Sequence, residues 1–283
     1  MKKKRFAALL TAAAMLGTLA LTGCSQNADS NAPDDAAQPQ DNAETADLLT
    51  QIQERGEIIV AMEGTWAPWT YHDENDELVG YDVEVARAIA EKLGVTASFV
   101  EGEWDGLLAG LSAGRYDIMV NGVDIDPARQ ETYDFSDPYA YNRTAVITLG
   151  GNADIQTLED LQGKHTANTI SSTYAELAEQ YGAEVTGVDD LNQTFELLLS
   201  GRIDATLNAE MTYYDYMKAH PDADIKIAVL TEDANQIGIP MRKGEETAAL
   251  REAINAALAE LSQEGVLTAL SEKYFGSDIS QAS

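Results

Sequence analysis

The chain has 283 residues, with 18 lysines and arginines against 48 aspartates and glutamates, a formal net charge of −30 and 45% hydrophobic residues. This composition excludes a wholly disordered chain, and the length predicts about two domains, while the strong negative charge argues against nucleic acid as a partner. The one cysteine and three scattered histidines exclude internal disulfides and show no metal-ligand spacing, so we expect neither a metal nor a cofactor.

Residues 1–23 are typical of a secretory signal peptide. Four basic residues at positions 2–5 precede an apolar stretch, 6–21, that is short for a membrane span of about 20 residues. An uncleaved membrane anchor is the alternative. The stretch Leu21-Thr22-Gly23-Cys24 resembles the bacterial lipobox, in which the cysteine is lipidated and becomes the new N-terminus. That resemblance implies lipidation of Cys24 and anchoring by lipid alone on the outer side of the cytoplasmic membrane, or in the periplasm.

Residues 24–47 are rich in small and polar residues and have no apolar periodicity, which predicts a flexible tether. Beyond it, apolar runs alternate with helical patterns. The predicted strands are 58–62, 95–100, 116–120, 165–169, 185–188, 203–207 and 226–230. The predicted helices are 82–93, 106–113, 174–181, 193–200 and a long pattern, 247–274, that Gly265 interrupts. This alternation predicts an α/β protein with parallel or mixed sheets.

Two segments of the chain repeat one pattern. Residues 111–118 and 198–205 each contain a helix end, a glycine, an arginine and then a strand that carries an aspartate. One copy lies in each half of the chain, so the repeat predicts two lobes of similar construction. Where the C-terminal helical pattern packs is left open at this point.

Tryptophans mark the first candidate site. Trp66 and Trp69 lie in the segment that follows the first predicted strand, where open α/β sheets bind ligands, and Glu63 begins that segment. The alternative is that one or both rings fill the core, and for Trp69 the two interpretations are evenly balanced. Trp104 is a further aromatic residue just before a predicted helix.

The second candidate site is the stretch 121–129, which follows the third predicted strand. Asp126 caps a short helix, and Arg129 falls in the first turn, where the helix dipole disfavours a cation. We interpret Arg129 as a fork that grips a ligand carboxylate through two hydrogen bonds. The alternative is an ion pair with Glu131 or Asp134.

A third candidate site precedes the predicted helix 174–181. Ser172 and Thr173 place hydroxyl groups at the N-terminus of that helix, and this arrangement suits a carboxylate ligand. Simple helix capping is the alternative, and both roles are compatible.

Residues 50–276 resemble the bacterial extracellular solute-binding proteins of the polar amino acid type, which deliver substrate to ABC importers. The order and spacing of three segments carry the resemblance, 78–86, 103–107 and 133–139. It implies a two-lobed, periplasmic-binding-protein-like α/β fold with a ligand cleft between the lobes and two crossover strands. Lobe 1 is expected at 48–146 and 238–276, and lobe 2 at 147–237. A monomer that binds a small amino acid and docks on a permease is also expected.

The resemblance also implies roles for the candidate residues. Trp66 and Trp104 are expected to sandwich the ligand side chain. Arg129, Ser172 and Thr173 are expected near the α-carboxylate. Other head-group contacts are expected around Asn121, Gly122 and Asp124.

Two positions depart from the family pattern. Asp124 stands where the family commonly has serine or threonine, and Ala209 stands where the family places an aspartate for the α-ammonium. Asp124, Glu210 and Glu63 are the candidates to replace that aspartate.

The stretches 167–177 and 181–185 look closest to members that bind cystine or cysteine. The leading interpretation is a lipoprotein receptor that captures a polar amino acid and does no chemistry on it. One alternative is a dehydratase of related fold that uses Glu63, Asp124 and Glu210 as acid and base groups. Another is a sensory ligand-binding lipoprotein.

Overall fold

A computed structural model describes residues 47–282; the predicted signal peptide, Cys24 and nearly all of the predicted tether lie outside this range. The helices are α1 (Leu48–Arg55), α2 (Tyr81–Leu93), α3 (Trp104–Ser112), α4 (Pro127–Thr132), α5 (Thr173–Gln180), α6 (Leu191–Leu199), α7 (Glu210–Ala219), α8 (Ala248–Gln263) and α9 (Val266–Phe275). Among the helices of this described range, none combines the length and apolarity that crossing a membrane needs.

Fifteen strands are described in the same range. The strands of the first half are β1 (Glu57–Met62), β2 (Thr65–Trp66), β3 (Thr70–His72), β4 (Leu78–Val79), β5 (Thr96–Glu101), β6 (Ile118–Met119), β7 (Tyr133–Phe135), β8 (Ala140–Asn142) and β9 (Thr144–Leu149). The remaining strands are β10 (His165–Asn168), β11 (Glu184–Gly187), β12 (Ala205–Ala209), β13 (Ile225–Leu230), β14 (Asn235–Ile237) and β15 (Pro240–Arg242).

Two sheets form the centres of two lobes. The first has the parallel order β5-β1-β6, and the second has the mixed order β11-β10-β12-β9-β13. β1 is an apolar run with few polar positions, as expected for a central strand that is covered on both faces by helices. The predicted α/β, two-lobed fold is confirmed.

Two antiparallel strand pairs join the lobes. The chain leaves the first sheet after β6, runs through β7 and β8 into β9 of the second sheet, and returns from β13 through β14 and β15. β14 pairs with β8 and β15 pairs with β7, so the outgoing and returning segments lie side by side. These segments are the expected crossover. The lobe limits given from the sequence stay predictions.

The repeated sequence pattern has a matching structure in each lobe. The Asp117 carboxylate accepts a hydrogen bond from the Ile59 backbone N–H at 2.7 Å, and the Ile59 carbonyl accepts one from the Asp117 N–H at 3.0 Å. In the second lobe, Asp204 and His165 make the same pair of bonds, both at 2.8 Å. Each aspartate immediately precedes a strand, β6 or β12, and ties it to the neighbouring strand, β1 or β10, with both its side chain and its backbone.

The C-terminal helices α8 and α9 return to the first lobe, where both pack on α2. Leu250, Ile254 and Leu258 of α8 share one apolar core with Ile58 and Ile89. Gly265, with φ 74°, separates the two helices in the left-handed conformation that glycine adopts most readily. The first lobe is thus completed by the end of the chain.

Candidate ligand-binding site

One pocket lies between the lobes and contains most of the predicted site. It is lined by Glu63, Thr65, Trp66, Trp104, Gly122, Asp124, Arg129, Asn168, Thr169, Ser172, Thr173, Tyr174, Leu191, Thr194 and Asn208. Eight of the ten residues predicted to bind ligand are in this lining. Within residues 47–282, no three or more histidine, cysteine, aspartate or glutamate side chains are grouped so as to hold a metal ion.

Trp66 has two roles. It lies on β2, just beyond the end of β1, and its ring stacks on Trp69 with centroids 5.4 Å apart. Trp69 is fully buried, so of the two interpretations left open for it, the core role is the observed one. Trp66 is 8% exposed, lines the pocket, and donates a hydrogen bond from Nε1 to Asn208 of the second lobe at 3.2 Å. It is both a core residue and a wall of the pocket.

Gly122 is required by close packing behind the pocket. Its φ is 54°, and a Cβ at this position would lie 2.6 Å from the Trp66 ring. Its N–H donates to the buried Asp82 carboxylate at 2.6 Å, and that carboxylate also accepts from the Tyr139 hydroxyl at 2.7 Å. Burial raises the pKa of Asp82 to about 7. Asp82 therefore connects Gly122, in the loop after β6, to Tyr139, the residue just before crossover strand β8.

Arg129 lies in the first turn of α4, as predicted. Asp126 caps that helix by accepting hydrogen bonds from the N–H groups of Ala128 and Arg129. The Arg129 Nε is 3.2 Å from the Asp126 carboxylate, whereas Asp134 faces Arg251 at 3.6 Å. The alternative ion pair with Glu131 or Asp134 is therefore not found among residues 47–282, and Arg129 pairs with Asp126 instead.

The Arg129 guanidinium still has donors available for a ligand. Its Nη1 donates to the Asp124 carbonyl and its Nη2 to the Ser171 carbonyl, both at 3.3 Å. Each of these nitrogens carries two N–H groups, so one N–H remains on each. The guanidinium lies over the Trp104 ring at 5.1 Å, which holds its plane at the pocket wall. The arrangement leaves a two-pronged donor at the pocket.

Asp124 presents an unpartnered acceptor. Its Oδ2 accepts a hydrogen bond from the Thr173 hydroxyl of the second lobe, but its Oδ1 is buried without a hydrogen-bond partner among residues 47–282. Burial raises the pKa of Asp124 to about 6, although Thr173 and Arg129 act in the opposite direction. Buried polar atoms are normally hydrogen-bonded, so Oδ1 is expected to meet a donor supplied by a ligand.

Glu63 is the second acid of the pocket. Burial is the main cause that raises its pKa, to about 7, and the hydrogen bond from Asn121 opposes it. The Asn121 amide donates to Glu63 Oε2 at 2.7 Å, while its Oδ1 accepts from the Glu63 backbone N–H at 2.8 Å. Asn121 does not line the pocket. It holds Glu63 from behind instead of serving in the predicted head-group contact.

Glu210 is placed outside the pocket. Its two carboxylate oxygens accept hydrogen bonds from Arg143 Nε and Nη2, both at 3.0 Å, and it borders a separate groove beside the crossover. Glu210 begins α7, and its backbone N–H bonds the Arg143 carbonyl at 2.9 Å, so the ion pair forms where β9 begins. The structure therefore does not support Glu210 as the partner of a ligand ammonium.

Ser172 and Thr173 lie at the start of α5. The Ser172 hydroxyl accepts from the Ala175 N–H at 3.1 Å, so it caps the helix and also lines the pocket. Both roles considered for this position are therefore compatible with its placement.

Sequence reasoning missed seven lining residues, Thr65, Asn168, Thr169, Tyr174, Leu191, Thr194 and Asn208. Asn168 ends β10, and a rule that examines the carboxyl ends of parallel strands would have found it. Its Oδ1, like Trp104 Nε1, is buried without a hydrogen-bond partner in the described part of the chain. Thr194 lies inside α6 with no local signal.

Comparisons with known proteins agree with the two-lobed fold. The L-cystine-binding protein TcyA of Bacillus subtilis (strain 168) is 36% identical over 97% of this chain and 99% of that protein. An ancestral arginine-binding protein bound to arginine superposes with a TM-score of 0.73 at 37% identity, covering 78% of this chain and 99% of that one. The L-cystine solute receptor of Neisseria gonorrhoeae in the unliganded open conformation gives a TM-score of 0.56 at 38% identity, covering 82% and 98%. Residues 58–277 match the family model, and the chain belongs to the bacterial extracellular solute-binding proteins, family 3.

Proposed function

We propose that this protein is an extracytoplasmic receptor that closes its two lobes on a polar α-amino acid and delivers it to the permease of an ABC importer, without chemistry on the ligand. One observation carries the proposal. The interlobe pocket holds a two-pronged cation, Arg129, and a buried acid with an unpartnered oxygen, Asp124. An α-amino acid carries the complementary charges next to each other: its α-carboxylate can pair with Arg129 and its α-ammonium with Asp124.

The carboxylate end is assigned to Arg129. Its remaining N–H groups, one on Nη1 and one on Nη2, suit the two oxygens of a carboxylate in parallel geometry. Because the partners Asp126 and Trp104 fix the guanidinium before a ligand binds, little side-chain entropy is lost on binding. The start of α5, at Thr173, adds positive backbone potential to the same wall.

The ammonium end is assigned to Asp124. Its Oδ1 has no hydrogen-bond partner within the described range 47–282, and an ammonium supplies three donors. An ammonium contact would also lower the pKa of Asp124 from about 6, so the carboxylate would stay ionised in the closed complex. Asp124 then replaces the aspartate that this chain lacks at Ala209.

Trp66 and Trp104 form apolar walls for the ligand side chain, and Glu63 supplies a polar group among them. Glu63 is a second carboxylate of the lining, partly buried and with no ion pair to a cation found among residues 47–282, so it favours a ligand that carries another hydrogen-bond donor or ammonium. Cystine has a second ammonium at its far end, beside a second carboxylate for which the lining offers no second cation. The charges therefore favour a further donor on the ligand, and cystine is proposed from the names of the relatives, which include an L-cystine-binding protein and an L-cystine solute receptor.

The cell-surface arrangement is also part of the proposal. Lipidation of Cys24 after removal of residues 1–23 would leave the receptor tethered to the membrane by lipid alone, and residues 24–47 would give it reach. We also propose that the receptor is a monomer.

Titration calorimetry with the twenty amino acids and cystine tests the proposal. Heat from cystine or a small set of polar amino acids is expected, and Asp124→Asn should lower the affinity about tenfold or more. Glu210→Gln is the matched control, because it makes the same chemical change outside the pocket. No heat with any of these ligands would contradict the proposal, and turnover of prephenate or arogenate would instead support the dehydratase.

A further inference from the structure

Beside the pocket, the two lobes meet at a pair of polar residues that do not line it. The Ser171 hydroxyl, on the second lobe just before α5, donates a hydrogen bond to Asp105 Oδ1 on α3 of the first lobe. Both residues are exposed. The Ser171 carbonyl also accepts a hydrogen bond from Arg129 Nη2 at 3.3 Å. A single residue of one lobe is thus held by two residues of the other.

The backbone of Ser171 is adapted to make both contacts. Its φ is 62°, in the left-handed region that a serine seldom adopts, and Asp76 is the other non-glycine residue with positive φ in the described chain. This conformation turns the carbonyl towards Arg129 while the hydroxyl faces Asp105. A conformation that costs free energy persists where surrounding contacts compensate for it.

Two further interlobe hydrogen bonds differ in position. Trp66 to Asn208 and Thr173 to Asp124 join residues that line the pocket, so a bound ligand competes with them or extends them. Asp105 and Ser171 are outside the lining, so their side-chain hydrogen bond does not compete with a ligand for the same atoms. It exists only when the lobes are together, so it stabilises the closed arrangement over the open one.

We propose that Asp105 and Ser171 form an interlobe latch that prolongs the life of the closed, liganded receptor without touching the ligand. This inference rests on the proposed function, because it assumes that lobe closure traps an amino acid. A contact made after closure slows opening and hence release, while ligand entry into the open cleft is unaffected. The latch therefore acts on the dissociation rate and hardly on the association rate.

Stopped-flow tryptophan fluorescence with cystine as the probe tests the latch. Asp105→Ala and Ser171→Ala should each raise the dissociation rate about three- to tenfold, the range for an exposed hydrogen bond to a charged group, and change the association rate less than about twofold. The double variant should be no faster than the faster single variant. Ser171→Gly, which suits the positive φ but lacks the hydroxyl, should behave like Ser171→Ala.

Glu103→Ala is the matched control, because it removes a nearby exposed carboxylate for which no hydrogen bond or ion pair to the second lobe is found among residues 47–282. Dissociation rates that do not change in the variants, or effects that simply add in the double variant, would overturn the latch. If the wild-type protein binds neither cystine nor any amino acid, the proposed function fails.

Discussion

Replacing Arg129 by alanine gives the sharpest test of the head-group assignment. The structure leaves two N–H groups of this guanidinium for a ligand, and a hydrogen bond between charged groups in a closed pocket contributes about 1.5–3 kcal/mol. The loss of both is therefore about 3–6 kcal/mol, and since about 1.4 kcal/mol is a tenfold change, affinity should fall at least about a hundredfold. Arg129→Lys should recover only part of it, because an ammonium cannot present two parallel donors.

Calorimetric titration with the tightest amino acid ligand measures this loss. Asp126→Asn serves as the control, because asparagine still caps α4 while the ion pair to Arg129 is removed. We expect this control to bind within about tenfold of wild type, because the two ligand-facing N–H groups remain. Binding by Arg129→Ala within a few-fold of wild type would refute the assignment, since the carboxylate would then be held elsewhere.

Arg129 also contributes to the fold, so stability must be measured in parallel. It is 9% exposed and contacts Asp126, Ser171 and the Trp104 ring. Urea unfolding of the ligand-free alanine variant should show a loss of about 1–3 kcal/mol. A loss of that size leaves most molecules folded, so a hundredfold fall in affinity could not be attributed to unfolding.

Four further outcomes are expected. Trp104→Ala should weaken ligand binding, and adding ligand should quench less tryptophan fluorescence in this variant than in wild type. A large fall in melting temperature with unchanged binding would instead assign this ring to the core alone. Burial raises the pKa of Glu63 from 4.5 to about 7, so the ligand-free protein should lose up to about 3 kcal/mol of stability as pH rises through that interval. Urea unfolding at pH 5 and pH 8 should show that Glu63→Gln loses less stability between these two pH values than wild type does. An equal loss in both proteins would exclude Glu63 as the cause. Asp124→Asn should lower calorimetric affinity for amino acids about tenfold or more, and equal affinity would remove Asp124 from the ammonium site. Cys24→Ala should abolish incorporation of labelled fatty acid, because the chain has one cysteine, and labelling that persists would refute the lipid anchor.

Secondary structure was predictable where local signals agree. The helix predicted at 82–93 is observed at Tyr81–Leu93, because an apolar stripe ends at Gly94, which adopts a left-handed cap. The strand predicted at 203–207 is observed at Ala205–Ala209. The two-residue displacement has a physical reason. Ile203 is apolar and so extends the predicted strand too early, although it precedes the observed one. Asn208 is polar because it faces the pocket, and so the prediction ends too soon.

Site residues were predictable where one short segment carries the whole signal. Arg129 follows its own helix cap, Asp126, so the stretch 121–129 alone shows that the cation lies in the first turn of a helix, where the helix dipole disfavours it. Glu210 could not be excluded in this way, because the arginine that pairs with it, Arg143, is 67 residues away. Asn208 likewise has no local signal as a site residue, since its contact with Trp66 depends on how the two lobes meet.

The charges of the pocket lining constrain the ligand more than its shape does. Among the lining residues, Arg129 is the one cation, and Glu63 and Asp124 are the two acids. An amino acid bound as proposed would pair with Arg129 and Asp124 and would leave the partly buried Glu63 without a counter-charge, which is costly unless Glu63 is protonated. A ligand with a second ammonium could pair with Glu63 in its ionised form. We therefore expect the preference for ligands with a second ammonium over those with one to grow as pH rises through about 7, the value to which burial raises the pKa of Glu63.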